Sequence, residues 1–418
     1  MGNLLRRIKY VAGNIFTDTY LSRDQKTLIT ILTLLFFGNG FSGAFVNAFL
    51  FSNGGGLRSV LIYNLFTYGG VVVFSLLVAL VARRFTMKNS LIVGMSFYIT
   101  MYAIILIFQQ SIGGYAWLVG LFTALANSFF YIPHSCLVFQ MTDNGGRDYY
   151  FARQGIFTTA GNLIAPFASG YVIQLIGGIN GYLTMFAMSL IMYSIAGVMA
   201  FRLSKAKMIN KKSYLFLTLR LAMIRPNFRN VTIAGVLRGL REGTMWVLAG
   251  TLLMKVTANT SVVGMYSLIT SLMLIISLWV SQKLIREHNR ARFLFLGVSG
   301  LVVPSLLFLM GIDVYIMFAY GIISSMLMAF FNTPVSCIYY NVLSTLPSSN
   351  RRSLEGMAIQ ESMLNIGRFI SIFVLFFVYS GQRHMIYVMV GSGVIQLATW
   401  FFYMRGDKWS RSMLKKAN

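Results

Sequence analysis

The chain has 418 residues, 57% of them hydrophobic and only 11% Asp, Glu, Lys or Arg, with a mean hydropathy of +0.70. A soluble domain carries about 25% charged residues, so this chain lacks the polar surface that water demands. Its net charge of +25 therefore needs an explanation other than nucleic-acid binding. The two cysteines, Cys136 and Cys337, lie in apolar runs, and the three histidines have no ligand spacing, so no disulfide framework, metal or cofactor is expected.

Residues 1–26 are polar and basic, without a small-residue cleavage site after a short apolar run. They read as a cytoplasmic N-terminal segment. A helix needs about 20 apolar residues to cross a bilayer. Twelve stretches qualify: 27–50, 58–82, 89–109, 114–141, 153–176, 180–203, 230–254, 260–284, 293–311, 314–343, 356–379 and 385–404. They are too long, and too lacking in alternation, for barrel strands. Gly, Asn, Pro or charge separates each from the next. The reading is an all-α integral membrane protein: a six-helix bundle over 27–203, a basic amphipathic linker over 204–229, a second bundle over 230–404 and a basic tail over 405–418. The linker mixes basic and apolar residues at helical spacing and reads as lying on the inner leaflet.

The basic residues alternate from loop to loop. The N-terminus, the loops after segments 2, 4, 8 and 10, the linker and the tail are rich in Lys and Arg. The alternate loops hold only Arg58, Lys255 and Arg383. Positive charge stays inside, so both termini are expected in the cytoplasm of a multi-pass cell (plasma or inner) membrane protein. There the basic surface meets anionic headgroups.

The halves repeat. Phe129-Phe130-Tyr131-Ile132-Pro133-His134-Ser135-Cys136-Leu137 aligns with Phe330-Phe331-Asn332-Thr333-Pro334-Val335-Ser336-Cys337-Ile338 at an offset of 201. Gly38 aligns with Gly239 at the same offset, Gly94 with Gly297 at 203, and Gly161 with Gly367 at 206. Ordered matches at nearly one offset predict two parallel six-helix repeats. Pro133 and Pro334 are expected to kink segments 4 and 10.

With this organisation the chain resembles the major facilitator superfamily along essentially its whole length. In the loop after segment 2, Arg84 and Lys88 match the superfamily's basic signature, whose glycines and acid are absent here. Asp143-Asn144-Gly145-Gly146-Arg147, followed by Arg153, is similar to the acid-x-x-x-Arg loop of sugar/cation symporters of the melibiose-carrier type. The acids that those carriers use for cation binding are missing. Gln360 to Arg368 looks like the eleventh helix of uncharacterised Gram-positive carriers. The resemblance implies two bundles that rock by alternating access, with Arg84, Lys88, Asp143, Arg147 and Arg153 in gating loops.

Ionised side chains in hydrocarbon cost about 2.5–3.5 kcal/mol each by insertion scales and mark function. Segment 7 holds Arg238, Arg241 and Glu242, and segment 11 holds Glu361 and Arg368. At ~1.5 Å per residue, Arg238 to Glu242 and Arg368 lie near the midplane. One reading gives the arginines an anionic or hydroxyl-rich cargo and makes Glu242 or Glu361 a proton carrier. The other is a self-neutralising network that locks helices together. His134 is a coupling or gating group, or a satisfied polar one. Asn39 and Asn162 are candidates for cargo hydroxyls, although Asn39 sits in a Gly-rich run that suits close helix packing. The expected function is a monomeric secondary transporter of a small solute, coupled to H+ or Na+. The rivals are a proton-driven exporter of lipophilic compounds, a lipid translocator, and a non-transporting membrane sensor. No HExxH, nucleophile elbow or acid pair is present, so an enzyme is not expected.

Overall fold

The computed structural model describes residues 21–53, 55–82, 86–142, 147–204, 213–257, 259–285, 289–346, 349–378 and 382–417. All regular structure among them is helical. The first bundle comprises α1 (Arg23–Asn53), α2 (Leu57–Val81), α3 (Met87–Phe108), α4 (Ala116–Met141), α5 (Arg147–Ile176) and α6 (Gly178–Ala200). A short helix, α7 (Leu215–Ile224), follows. The second bundle comprises α8 (Pro226–Thr257), α9 (Thr260–Leu284), α10 (Arg290–Gly300), α11 (Val302–Leu306), α12 (Val314–Ser344), α13 (Ser349–Val378), α14 (Gln382–Ile395) and α15 (Leu397–Ala417).

Eleven helices among the described residues are long and apolar enough to cross a membrane. The seventh expected segment lies in α8, which has 32 residues but carries Arg229, Arg238, Arg241, Glu242 and Lys255. Those charges, not its length, set it apart from the eleven. The outer surface is apolar: Val73, Ile107, Leu175, Val198 and Phe377 are all exposed. Water would not tolerate this surface on a soluble protein, and a bilayer would. The chain is a multi-pass membrane protein.

Several boundaries differ from the sequence reading for local reasons. The ninth segment is broken between α10 and α11 at Leu301, next to Gly300 and three residues before Pro304. Proline has no N–H and its ring clashes with the carbonyl four residues back. Proline at the first helical position suits α8, which begins at Pro226, within the stretch read as linker. The expected tail continues as helix α15 to Ala417.

Each bundle is closed by its own contacts. α1 packs on α5 and α6, α3 on α4 and α6, and α2 on α4. α8 packs on α13 and α15, and α12 on α9 and α10. The bundles join through α2 against α13 and α5 against α9. Two pairs of glycines occupy matching places. A Cβ on Gly94 would fall 2.8 Å from the Phe130 nitrogen, and one on Gly297 would fall 2.7 Å from the Phe331 nitrogen. A Cβ on Gly161 would meet the Phe37 nitrogen on α1 at 3.0 Å, and one on Gly367 would meet the Leu240 nitrogen on α8 at 2.8 Å. These are backbone-to-backbone approaches that a side chain would prevent.

Pro133 and Pro334 lie inside α4 and α12. Pro133 leaves the Phe129 carbonyl without its intrahelical donor, and the Ser90 hydroxyl turns to that oxygen at 3.5 Å.

Candidate functional site

The site begins with a crossing of two helices. α8 carries Gly239 and Gly243 four residues apart, on either side of Arg241 and Glu242. A Cβ on Gly243 would lie 2.7 Å from the Arg368 Cα, and one on Gly239 would lie 3.0 Å from the Arg368 nitrogen. Gly367 supplies the complementary gap on α13, where an added Cβ would strike the Val236 carbonyl. The two backbones touch where their charged residues lie.

This contact builds a three-residue ion cluster. The Arg238 Nε donates to Glu242 Oε1 at 2.6 Å, along one turn of α8. The Arg368 Nη2 donates to Glu242 Oε2 at 2.6 Å, and its Nε reaches the same oxygen at 3.2 Å. Each carboxylate oxygen thus serves one guanidinium, and Glu242 is only 1% exposed. Charge-assisted bonds of this kind are short and strong. Arg368 is further held by Asn365, whose Oδ1 accepts from Nη1 at 3.2 Å. Its guanidinium sits over the Trp246 ring at 4.5 Å and faces Tyr68 of α2 at 5.7 Å. Arg238 faces the Phe331 ring at 5.6 Å. A cavity of about 20 Å³, bordered by Val231, Thr232, Gly235 and Tyr339, reaches Arg238. That is room for about one water.

α13 also faces the first bundle. The Ser362 hydroxyl donates to the Val72 carbonyl at 3.3 Å, and Phe369 fills the space above Gly69. The helix carrying Arg368 therefore belongs both to the ion cluster and to the contact between bundles.

The other candidate residues are distributed as follows. Arg241 is 3% exposed, and its Nη2 meets the Tyr320 hydroxyl of α12 at 3.5 Å. Glu361 is half-buried and joins neither ion pair of the cluster. His134 is buried on α4, stacked on Phe130 with its Nε2 unpartnered. Asn39 accepts from the Tyr193 hydroxyl at 2.8 Å, and Tyr193 stacks on Tyr98 and Tyr102. Asn39 is therefore tied into the first bundle, well separated in sequence from the cluster. The Asn162 carbonyl accepts from the Ser271 hydroxyl at 3.0 Å, which joins α5 to α9.

Among the loop residues, Lys88 donates to the carbonyls of Phe201 at 2.5 Å and Leu203 at 2.8 Å. It fastens the chain just beyond α6. Arg153 is half-buried on α5. Arg84 and Asp143 lie outside the described residues, as does the Arg147 side chain. Sequence reading passed over Asn365, Trp246, Tyr68 and Tyr320. The Gly-x-x-x-Gly spacing around Arg241 and Glu242 was the available signal that α8 meets another helix there.

No family model matches the chain. It is 24% identical over 374 residues to the uncharacterised protein YqgE of Bacillus subtilis (strain 168), covering 88% of this chain and 84% of that one. An uncharacterised protein encoded in the sodM 3' region of Geobacillus stearothermophilus is 26% identical over 170 residues, 40% of this chain and 78% of the other. A crystal structure of the nucleoside transporter NupG superimposes with a TM-score of 0.69 at 15% identity, over 91% of this chain and 99% of that one. The fold is therefore that of a known membrane transporter.

Proposed function

We propose that the chain is a secondary transporter of the major facilitator type, moving a small solute by alternating access, with the Arg238–Glu242–Arg368 cluster as its coupling centre. The observation that carries this reading is one buried carboxylate shared between guanidiniums on two helices, midway along a membrane-spanning bundle. Buried charge at that depth is expensive and is retained for function. α13 links the cluster to the first bundle, so a change in the charge of Glu242 would be felt where the bundles meet.

In this reading α8 is the twelfth spanning helix, and the two bundles are parallel repeats. The matched glycine approaches of Gly94 with Gly297 and of Gly161 with Gly367 support the repeat. The basic loops support cytoplasmic termini in this reading, and the cell membrane as the location. Glu242 takes up a proton, or pairs with Na+ in place of the guanidiniums, and the arginines it releases then engage cargo. Measurement of solute flux by purified protein in liposomes, with H+ and Na+ gradients imposed separately, tests this. Accumulation that follows one gradient supports it. Binding without flux would leave a sensor on a transporter fold.

A further inference from the structure

One buried arginine of the second bundle stands outside the ion cluster. Glu242 spends one oxygen on Arg238 and the other on Arg368. Arg241 is the neighbour of Glu242 in sequence but projects to another side, towards α12. It lies at residue 16 of the 32 in α8, counting from Pro226. It is 3% exposed, joins no ion pair among the described residues, and its Nε has no hydrogen-bond partner. The contact with Tyr320, at 3.5 Å, is at the limit of a hydrogen bond. A guanidinium has five donors and cannot shed its charge, and an unpaired buried charge is strongly destabilising.

The Tyr320 hydroxyl that accepts from Arg241 keeps its own proton to donate. Ser324 follows Tyr320 by one turn of α12 and so shares its face. The Ser324 Oγ is buried and unpartnered. The Phe308 ring packs on Tyr320 at 4.9 Å and closes one side with apolar surface. A guanidinium with two hydroxyls and no paired carboxylate suits an oxyanion, because planar two-pronged donation matches carboxylate and phosphate. It is unsuited to a cationic solute.

We infer that Arg241, Tyr320 and Ser324 form an oxyanion subsite, and that the cargo carries a carboxylate or phosphate group. The inference rests on the carrier reading for why a solute reaches this depth. Oxyanion binding without flux would fail the carrier reading alone. Flux without Arg241-dependent binding would fail the subsite alone.

The test is thermal melting of the full chain in neutral detergent at constant ionic strength, comparing wild type with Arg241→Met and Arg241→Lys. Without oxyanions, Arg241→Met should melt at or above the wild type, since it removes an unpaired charge while keeping apolar bulk. Inorganic phosphate, and either uridine monophosphate or glucuronate, should raise the wild-type melting temperature by roughly 3 °C or more. Their neutral counterparts uridine and glucose should not. Arg241→Lys should keep part of the shift and Arg241→Met none. An Arg241→Met protein that melts well below wild type in oxyanion-free buffer would overturn the subsite. So would equal shifts in both proteins, no shift in the wild type, or a shift produced by phosphatidylglycerol alone, which would assign the group to a lipid headgroup.

Discussion

Glu242 on α8 and Arg368 on α13 meet at 2.6 Å, at the point where glycines bring the two helix backbones into contact. The ion pair and the helix crossing coincide, since Gly239 and Gly243, which admit the Arg368 backbone, lie on either side of Glu242. Arg238 completes the cluster from within α8.

Removing the carboxylate should strand two buried guanidiniums. Glu242→Gln is expected to destabilise the protein by about 3–5 kcal/mol. Glu242→Gln combined with Arg368→Gln should cost less than the sum of the two single changes, with a coupling energy of about 0.5–3 kcal/mol. Denaturant titration in detergent provides the double-mutant cycle. Strict additivity would mean that the pair contributes nothing.

The helix crossing can be tested separately from its charges. Gly243→Val and Gly367→Val place side-chain atoms on the opposing backbone and should each cost about 1–3 kcal/mol or more. Gly391→Ala is the control, since nothing lies within 4 Å of an added Cβ there, and it should be close to neutral. Melting temperatures of the three variants rank them. Equal tolerance at all three positions would contradict the close approach.

The repeat makes a paired prediction. Gly94→Val and Gly297→Val meet equivalent backbone in the two bundles and should lower the melting temperature by similar amounts. A severe effect at one and none at the other would mean that the two bundles pack differently at these positions.

The basic loops carry a topology prediction. Reporter fusions after residues 210 and 418 should both report the cytoplasm, and cysteines introduced beside Arg58 and Lys255 should be labelled from outside. A signal from the opposite face at either fusion would overturn this topology.

Much of the fold was legible because a bilayer imposes one requirement, long apolar runs, which composition displays directly. α8 is the informative exception: its charges remove it from the purely apolar helices. Glu242, Arg238 and Arg368 were visible as buried charges, but their mutual geometry depends on a helix crossing that no single segment encodes. The Gly239 and Gly243 spacing held that information. Asn39 illustrates the opposite limit. Its side chain is spent on Tyr193, a partner 154 residues away on α6 that no local pattern points to. The break at Leu301 was foreshadowed by Pro304, and only the backbone geometry fixes on which side of the proline it falls.

The most direct test of coupled transport centred on Glu242 is uptake by proteoliposomes of a mixed panel of nucleosides, sugars, carboxylates and phosphate esters. Mass spectrometry would read the uptake under an imposed proton or sodium gradient. The wild type should concentrate at least one solute above equilibrium, and Glu242→Gln should concentrate none while still entering the liposomes folded. No accumulation by the wild type, or equal accumulation by Glu242→Gln, would contradict the account.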